Sequence, residues 1–220
     1  MSIRKIKFEI GEFYHLYNRG NSKQEIFLDE NDYLRFRDLL YALNNEDKFN
    51  FSDSLKGVSV YNRSSQNPLV AIGSYCLMPN HFHILLTPLV ENGVSRFMQK
   101  LSTAYVMYFN LKYKRTGGLF EGKFKAQYIN NDKYLKYIFS YIHLNPIKLI
   151  QKDWKEKGVK NKKQSLDYLS NYLYSSYIDF AGVNRIEKMI LNLENFPNYF
   201  PTKKSFNAEI FDWINYDKTL

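Results

Sequence analysis

The stretch YCLMPNHFHILLTP, residues 75–88, consists of two apolar runs separated by Pro79 and Asn80. A proline followed by an asparagine interrupts a strand and favours a turn. The pattern therefore predicts a β-hairpin, with one strand over residues 69–78 and its partner over residues 81–89. The fold prediction is built outward from this hairpin.

Two of the four histidines of the chain, His81 and His83, lie in the second strand of the hairpin. Alternate residues of a strand face the same side of its sheet, so both rings point together while Phe82 points to the other side. Neutral imidazole is the commonest metal ligand in proteins, and it binds Mn²⁺, Co²⁺ or Zn²⁺ in preference to Mg²⁺. Two rings leave a metal site incomplete, and the alternative is a pair of partly buried histidines bonded to the backbone.

The flanking sequence predicts alternating strands and helices. The order is strand, helix, strand, strand, helix, short strand, helix, which is typical of an α+β fold of the ferredoxin-like split β-α-β type, with helices packed on a central antiparallel sheet. The predicted elements outside the hairpin are a strand over 13–20, a helix over 29–46 capped by Asp29 or Asn31, a helix over 92–115 capped by Ser95, an irregular or extended stretch over 119–129, and a helix over 131–147 stopped at Asn145 and Pro146. Residues 56–63 are a candidate for a further strand that this order leaves out.

The C-terminal third of the chain has a different composition. Seven lysines between residues 148 and 163 indicate a basic linker or exposed loop, and residues 165–220 read as helices and turns. We expect a main domain over 1–150, followed over 151–220 by this linker and a mainly helical extension packed on the main domain.

Composition narrows the functional classes. The net charge of +9 favours a polyanionic partner such as nucleic acid, although a lysine-rich composition can arise without one. A single cysteine excludes a disulfide within the chain, no apolar run is long enough to span a membrane, and the N-terminus lacks a signal peptide. A cytoplasmic location is therefore expected.

Five ordered motifs extend the histidine strand into a longer pattern. They are LMPNHFHILLTP (77–88), FYHLYNRGNSKQEIF (13–27), FMQKLSTAYVMYFNLKYKRTGGLFEGKFKA (97–126), YLKYIFSYIHLNPIKLI (134–150) and YLYSSY (172–177). Together they resemble one family, the single-tyrosine His-hydrophobe-His transposases of insertion sequences, and within it the branch related to REP-associated tyrosine transposases. The resemblance covers about residues 10–180 and departs from the family at Tyr174, which stands where a Trp-Ser-Ser-Tyr turn has tryptophan.

The resemblance implies a catalytic tyrosine and a complete metal site. The nucleophile would be Tyr141, with Tyr137 as the alternative, and Asn145 would join His81 and His83 in binding one divalent metal ion, Mg²⁺ or Mn²⁺. Residues four apart share a helix face, so Tyr141 and Asn145 can reach the same point.

The implied activity is metal-dependent cleavage and rejoining of single-stranded DNA, hairpin or palindromic, through a 5′-phosphotyrosine intermediate. A monomer and a homodimer with shared sites both stay open. His15 is expected to have a supporting role, and Glu121 is a weak candidate for a general base. The residues expected to bind DNA are Arg19, Asn21, Lys112, Lys114, Arg115, Lys123 and Lys125.

Three other readings remain. A binding module of the same shape would read nucleic acid without chemistry and would have exposed aromatic side chains on its sheet. A zinc hydrolase would need further His and Asp ligands downstream, where His143 is the single remaining histidine. A domesticated or inactive relative would keep the fold and lose transposition.

Overall fold

The computed structural model describes residues 6–47, 59–62 and 67–212. Within them the order of strands and helices is the expected one, and the α+β prediction is confirmed. The elements are β1 (Phe13–Arg19), α1 (Glu30–Ala42), β2 (Val70–Met78), β3 (His81–Pro88), α2 (Gly93–Lys112), β4 (Lys125–Ile129), α3 (Asp132–Leu144), α4 (Trp154–Lys157), α5 (Lys162–Asn171), α6 (Tyr177–Phe180) and α7 (Lys203–Glu209).

The four strands form one antiparallel sheet in the order β2-β3-β1-β4. The hairpin turn at Pro79 and Asn80 joins β2 to β3, as the sequence predicts. Because β1 lies between β3 and β4, its residues are direct neighbours of the histidine strand: Arg19 is opposite His81, and Tyr17 is opposite His83. β1 therefore contributes side chains to the same face of the sheet as His81 and His83.

Each face of the sheet is covered by helices. On one face α1 and α2 enclose a core that includes Leu16, Ile84 and Leu101. On the other face α3 packs Leu135 and Ile142 against the strands. Burial of one such side chain contributes roughly 1.5–3 kcal/mol, so the apolar stripe of α3 holds this helix against the histidine face.

The helix ends follow local chemistry. Asp29 is the N-cap of α1 in a capping box with Asp32, in agreement with one of the two predicted caps. The helix predicted over 92–115 is present as α2, but its predicted cap was wrong, because Asn92 in a left-handed conformation precedes the helix and Ser95 lies inside it. The N-cap of α3 is Asn131, whose side chain accepts a hydrogen bond from the backbone of Tyr134.

The C-terminal part of the chain closes one edge of the sheet. Backbone bonds of 2.9–3.0 Å join Leu77 to Tyr174, Ser176 to Tyr75, and Asn192 to Ile72, so the outer edge of β2 is paired rather than open. Arg185 binds Asp179 in a fork with distances of 2.8 and 2.7 Å, which fixes this segment.

Three local expectations differ from the structure. Within the candidate strand over 56–63, the described residues are Ser59 and a 3₁₀ helix at Val60–Asn62, and residues 56–58 and 63 lie outside the described residues. The segment expected to be a basic linker contains α4, which buries Trp154 among apolar side chains. Asn145 keeps helical dihedrals despite the following proline, and the chain continues as a 3₁₀ helix over Asn145–Leu149. The proposed boundary at residue 150 stays a prediction.

Among the helices of the described ranges, none has the length and apolar character needed to cross a membrane.

A histidine, asparagine and tyrosine cluster between the sheet and helix α3

The ring of His81 is fixed by the hairpin turn that precedes it. Its Nδ1 lies 2.6 Å from Oδ1 of Asn80, and the amide nitrogen of Asn80 donates to the backbone carbonyl of Lys23 at 3.1 Å. Since that second bond orients the amide, Oδ1 faces His81 and can only accept. His81 therefore carries its proton on Nδ1, which leaves a lone pair on Nε2.

The turn that supplies the Lys23 carbonyl depends on Gly20. A Cβ at this position would lie 2.1 Å from the carbonyl oxygen of Gln24, so only glycine allows the chain to fold back this tightly. The backbone N–H of Gly20 also donates to the carbonyl of Asn80 at 2.9 Å. The arginine-glycine motif thus supports the orientation of the first histidine.

The ring of His83 lies deeper and contacts a second buried histidine. Nδ1 of His83 is 2.8 Å from Nε2 of His15 on β1, and both residues are about 95% buried. The ring centroids of His81 and His83 are 5.1 Å apart, with the planes nearly perpendicular. The structure thus brings both strand histidines together on the face covered by α3.

Burial keeps these histidines neutral. It lowers the pKa of His15 to about 3 and that of His81 to about 4, and it holds the pKa of His83 well below its ordinary value. The positive charges of Lys148 and Lys155 lower the pKa of His83 further. Neutral imidazole is the form that binds metal ions, so the rings are ready to act as ligands at neutral pH.

Tyr141 on α3 lies directly over the rings of His83 and His15. Its ring meets the edges of His83 and His15 at centroid distances of 5.4 and 6.0 Å, and it stacks against Tyr137 and Trp154 at 6.0 and 6.5 Å. Burial raises the pKa of the Tyr141 phenol, while the charge of Lys155 and contact with Asn145 oppose the rise. Tyr141 is therefore a protonated phenol held in one orientation.

The alternative nucleophile, Tyr137, lies one turn earlier on α3. It is 5% exposed and stacks between Tyr134 and Tyr141. Of Tyr137 and Tyr141, it is Tyr141 whose ring contacts His83, at a centroid distance of 5.4 Å.

Asn145 completes the cluster from the end of α3. Its side chain contacts both His81 and Tyr141. The residue is 3% exposed, and its Oδ1 has no hydrogen-bond partner in the described part of the chain. An orphaned buried carbonyl oxygen costs about 1–3 kcal/mol, which a bound cation would offset.

The donor set fits a divalent cation. It comprises a lone pair on His81, an orphaned oxygen on Asn145 and a neutral ring at His83. Across residues 6–47, 59–62 and 67–212, no three His, Cys, Asp or Glu side chains are arranged to hold a metal ion. A metal site here with three protein ligands would therefore include the amide of Asn145.

Cationic side chains border the cluster. Nζ of Lys155 lies 5.1 Å from the centroid of the Tyr141 ring. Lys148 is three residues after Asn145 in the 3₁₀ helix, where side chains three apart lie above one another. Arg19 forks onto Glu121 at 3.1 and 2.8 Å, so this carboxylate is paired.

The remaining residues expected to bind DNA are spread over the surface. Lys125 is opposite Tyr17 and so faces the cluster side of the sheet. Lys112 is not brought to the cluster, because it binds Asp29 and Asp32 at 2.7 Å between α2 and the start of α1. Asn21, Lys114 and Lys123 are exposed, and Arg115 lies over the ring of Phe109 at 5.4 Å.

Residues missing from the expected site set are Asn80, Lys148 and Lys155. Asn80 is adjacent to His81 in the sequence, and its short polar side chain in a turn was a usable signal. The two lysines lie in a basic run of seven, and nothing in that run distinguishes them. The sequence predicted a supporting role for His15 but did not identify His83 as the residue that it contacts.

The buried histidines predict acid-sensitive folding. In the unfolded chain each titrates near pH 6.5, whereas in the folded chain His15 and His143 titrate near 3 and His81 near 4. Below pH 6.5 the unfolded state binds more protons, so the free energy of unfolding falls as the pH decreases toward 4, by up to about 1.4 kcal/mol per pH unit for each buried histidine.

Urea unfolding of the metal-free protein at pH 7, 6 and 5 measures this slope. The His143→Gln variant should reduce it by about one proton. A stability that is constant over this range would contradict neutral burial of the histidines.

Comparisons with known proteins give one family and one fold. Residues 58–145, which contain His81, His83, Tyr141 and Asn145, match the model of the family described as "Transposase IS200 like". The fold is similar to that of a solved REP-associated tyrosine transposase bound to a REP hairpin, with a TM-score of 0.51 and 15% sequence identity, over 85% of this chain and 90% of that chain. No curated protein matches the sequence.

Proposed function

We propose that the protein cleaves and rejoins single-stranded DNA with Tyr141 as nucleophile. The match of residues 58–145 to the IS200-like transposase family supports this proposal. The observation that carries the proposal is the convergence of Tyr141, His81, His83 and Asn145, which come from a strand and a helix about 60 residues apart. A role in packing alone would not explain an amide oxygen without a hydrogen-bond partner beside an imidazole lone pair, because buried polar atoms in proteins are normally hydrogen-bonded.

The reaction follows from these groups. The hydroxyl oxygen of Tyr141 attacks the phosphorus of a phosphodiester, an O–P bond forms, and the bond from phosphorus to the 3′ oxygen breaks. The phenolic proton is lost and the departing 3′ oxygen gains one, so protons balance. A second 3′ hydroxyl reverses the step and joins a new strand, and no ATP is needed because the phosphotyrosine ester conserves the bond energy.

A divalent ion, Mg²⁺ or Mn²⁺, would be held by Nε2 of His81, the His83 ring and Oδ1 of Asn145. When bound, it polarises a non-bridging phosphate oxygen and stabilises the charge that develops there. The stacking of Tyr141 between Tyr137 and Trp154 holds the phenol beside these donors. The side chain therefore loses little rotational entropy when the substrate binds.

The proposed substrate is DNA with a hairpin. The structurally similar transposase is bound to a REP hairpin, and the net charge of +9 suits a polyanion. Lys125 and Lys148 lie on the cluster side and are proposed to bind backbone phosphates. Lys112 is left out of this set because Asp29 and Asp32 neutralise it.

The binding-module reading is less well supported. Such a module needs exposed aromatic rings on its sheet, whereas here α1, α2 and α3 cover the two faces. Tyr128 is the sheet aromatic with substantial exposure among the described strands, at 44%.

The test is a covalent-adduct assay. A hairpin oligonucleotide with a labelled 3′ segment is incubated with the protein and Mn²⁺ or Mg²⁺, then denatured. We expect label on the protein and a free 3′ hydroxyl on the unlabelled piece. Tight binding of the hairpin without any adduct, under all metal conditions, would contradict the proposal.

Lys155 provides a more specific prediction. Its ammonium group beside the Tyr141 ring stabilises the phenolate character that develops during attack and rejoining. Lys155→Gln should slow adduct formation about tenfold, which is about 1.4 kcal/mol in the barrier, while hairpin affinity changes little. Lys157→Gln is the matched control, since Lys157 is on the same helix and pairs with Asp153 at 3.1 Å. Equal rates for both variants would exclude this role.

A further inference from the structure

The hydrogen bond between His15 and His83 has no assigned purpose in the proposed reaction. Nε2 of His15 is 2.8 Å from Nδ1 of His83, and the two rings stack at a centroid distance of 5.0 Å. His15 is paired with Leu85 in the sheet, two positions from His83, so the contact follows from the register of β1 against β3. Both rings are buried.

The proton in this bond has two possible positions. A neutral imidazole has one N–H and one lone pair, so one ring donates and the other accepts. If Nε2 of His15 donates, His83 carries its own proton on Nε2 and has no lone pair for a ligand on that side. If Nδ1 of His83 donates, its Nε2 lone pair is free. The direction of one hydrogen bond therefore decides whether His83 can be a ligand through Nε2.

The neighbouring histidine indicates the direction. Nδ1 of His81 donates to Asn80, which frees Nε2 of His81 on the side of Asn145. His83 is the next residue on the same face of the same strand. Its Nδ1 also lies within hydrogen-bond distance of one polar atom, Nε2 of the buried His15, as Nδ1 of His81 lies beside Oδ1 of Asn80.

We propose that His15 accepts a hydrogen bond from Nδ1–H of His83 and thereby holds His83 in the tautomer whose Nε2 can bind a divalent metal ion. The inference rests on the proposed function for its metal. His15 is a positioning residue, since it acts through His83. An imidazole acceptor is uncharged, so it orients the ligand without the added basicity that a carboxylate partner gives.

The tautomer can be measured without any metal. The chain has four histidines, so ¹⁵N-histidine labelling gives four assignable rings. In the metal-free wild type we expect His83 as the Nδ1–H tautomer. His15→Gln places an amide oxygen near the position of Nε2 and should keep this tautomer, whereas His15→Phe should shift His83 toward the Nε2–H form. An Nε2–H signal for His83 in the wild type overturns the proposal, and this test does not depend on a variant that folds.

Metal affinity gives the second readout. Mn²⁺ is titrated into each protein in the absence of DNA, with thermal unfolding as a check on folding. His15→Phe should bind Mn²⁺ about 10–100-fold more weakly, His15→Gln should recover most of the loss, and His143→Gln, at a histidine that contacts Ser176 instead, should match the wild type. Wild-type affinity in His15→Phe would overturn the positioning role.

Failure of the two proposals can be told apart with His83→Ala. If His83→Ala loses Mn²⁺ affinity and His15→Phe keeps it, the role of His15 is refuted and the metal site stands. If His83→Ala binds Mn²⁺ as the wild type does, the metal site itself is refuted, and the inference about His15 is refuted with it.

Discussion

Replacement of Tyr141 by phenylalanine is expected to abolish the covalent protein–DNA adduct, by ~10³-fold or more, while the affinity for a DNA hairpin changes little. The phenyl ring keeps the contacts with His83, Tyr137 and Trp154, so the cluster should retain its shape. Only the oxygen that attacks phosphorus is lost. Adduct formation after denaturation and hairpin binding by fluorescence anisotropy measure the two effects separately.

The matched control is Tyr137→Phe. Tyr137 is one helical turn away, buried, and stacked on the same ring. We expect this variant to form the adduct at close to the wild-type rate. Persistence of the adduct in Tyr141→Phe, together with its loss in Tyr137→Phe, would reassign the nucleophile to the other position.

Replacement of His81 by alanine is expected to remove metal-dependent cleavage and to weaken Mn²⁺ binding by more than ~100-fold. His81 supplies the lone pair whose direction the Asn80 bond fixes. Its ring is only partly buried, so the cavity left by alanine should cost less stability than at a core position. Calorimetric titration of Mn²⁺ and the adduct assay with and without chelator check both effects.

Asn145→Asp provides an opposite test at the same site. A carboxylate of the same shape replaces the orphaned amide oxygen, and carboxylates suit Mg²⁺ and Mn²⁺ well, so metal affinity should rise. Unchanged cleavage by His81→Ala in the presence of chelator would refute the metal proposal, as would an Asn145→Asp variant that binds Mn²⁺ no better than the wild type.

The geometry of β3 and α3 places the four side chains of the proposed site. Alternation in β3 points His81 and His83 the same way, and the four-residue spacing in α3 points Tyr141 and Asn145 the same way. The apolar stripe of α3, with Leu135 and Ile142 against the sheet, sets the distance between the two sets. A substitution that loosens this packing should therefore reduce the rate of cleavage more than it reduces the affinity for DNA.

Some sequence expectations were wrong where local patterns are ambiguous. Val60–Asn62 forms a 3₁₀ helix although the segment alternates like a strand, because short apolar runs do not distinguish the two by periodicity. Trp154 anchors α4 in a run that reads as a linker, since lysines on a helical turn can surround one buried ring. A proline disfavours helical geometry at the residue before it, yet Asn145 keeps helical dihedrals.

The sequence by itself determined the order of strands and helices, the face shared by His81 and His83, and the spacing of Tyr141 and Asn145, because each depends only on the period of its own element. The tertiary structure decided that His15 meets His83, that Lys155 lies beside Tyr141, and that Lys112 is held by Asp29 and Asp32 on the other face. These contacts join residues that are distant in the chain, and they depend on strand register and helix packing, which no local period encodes.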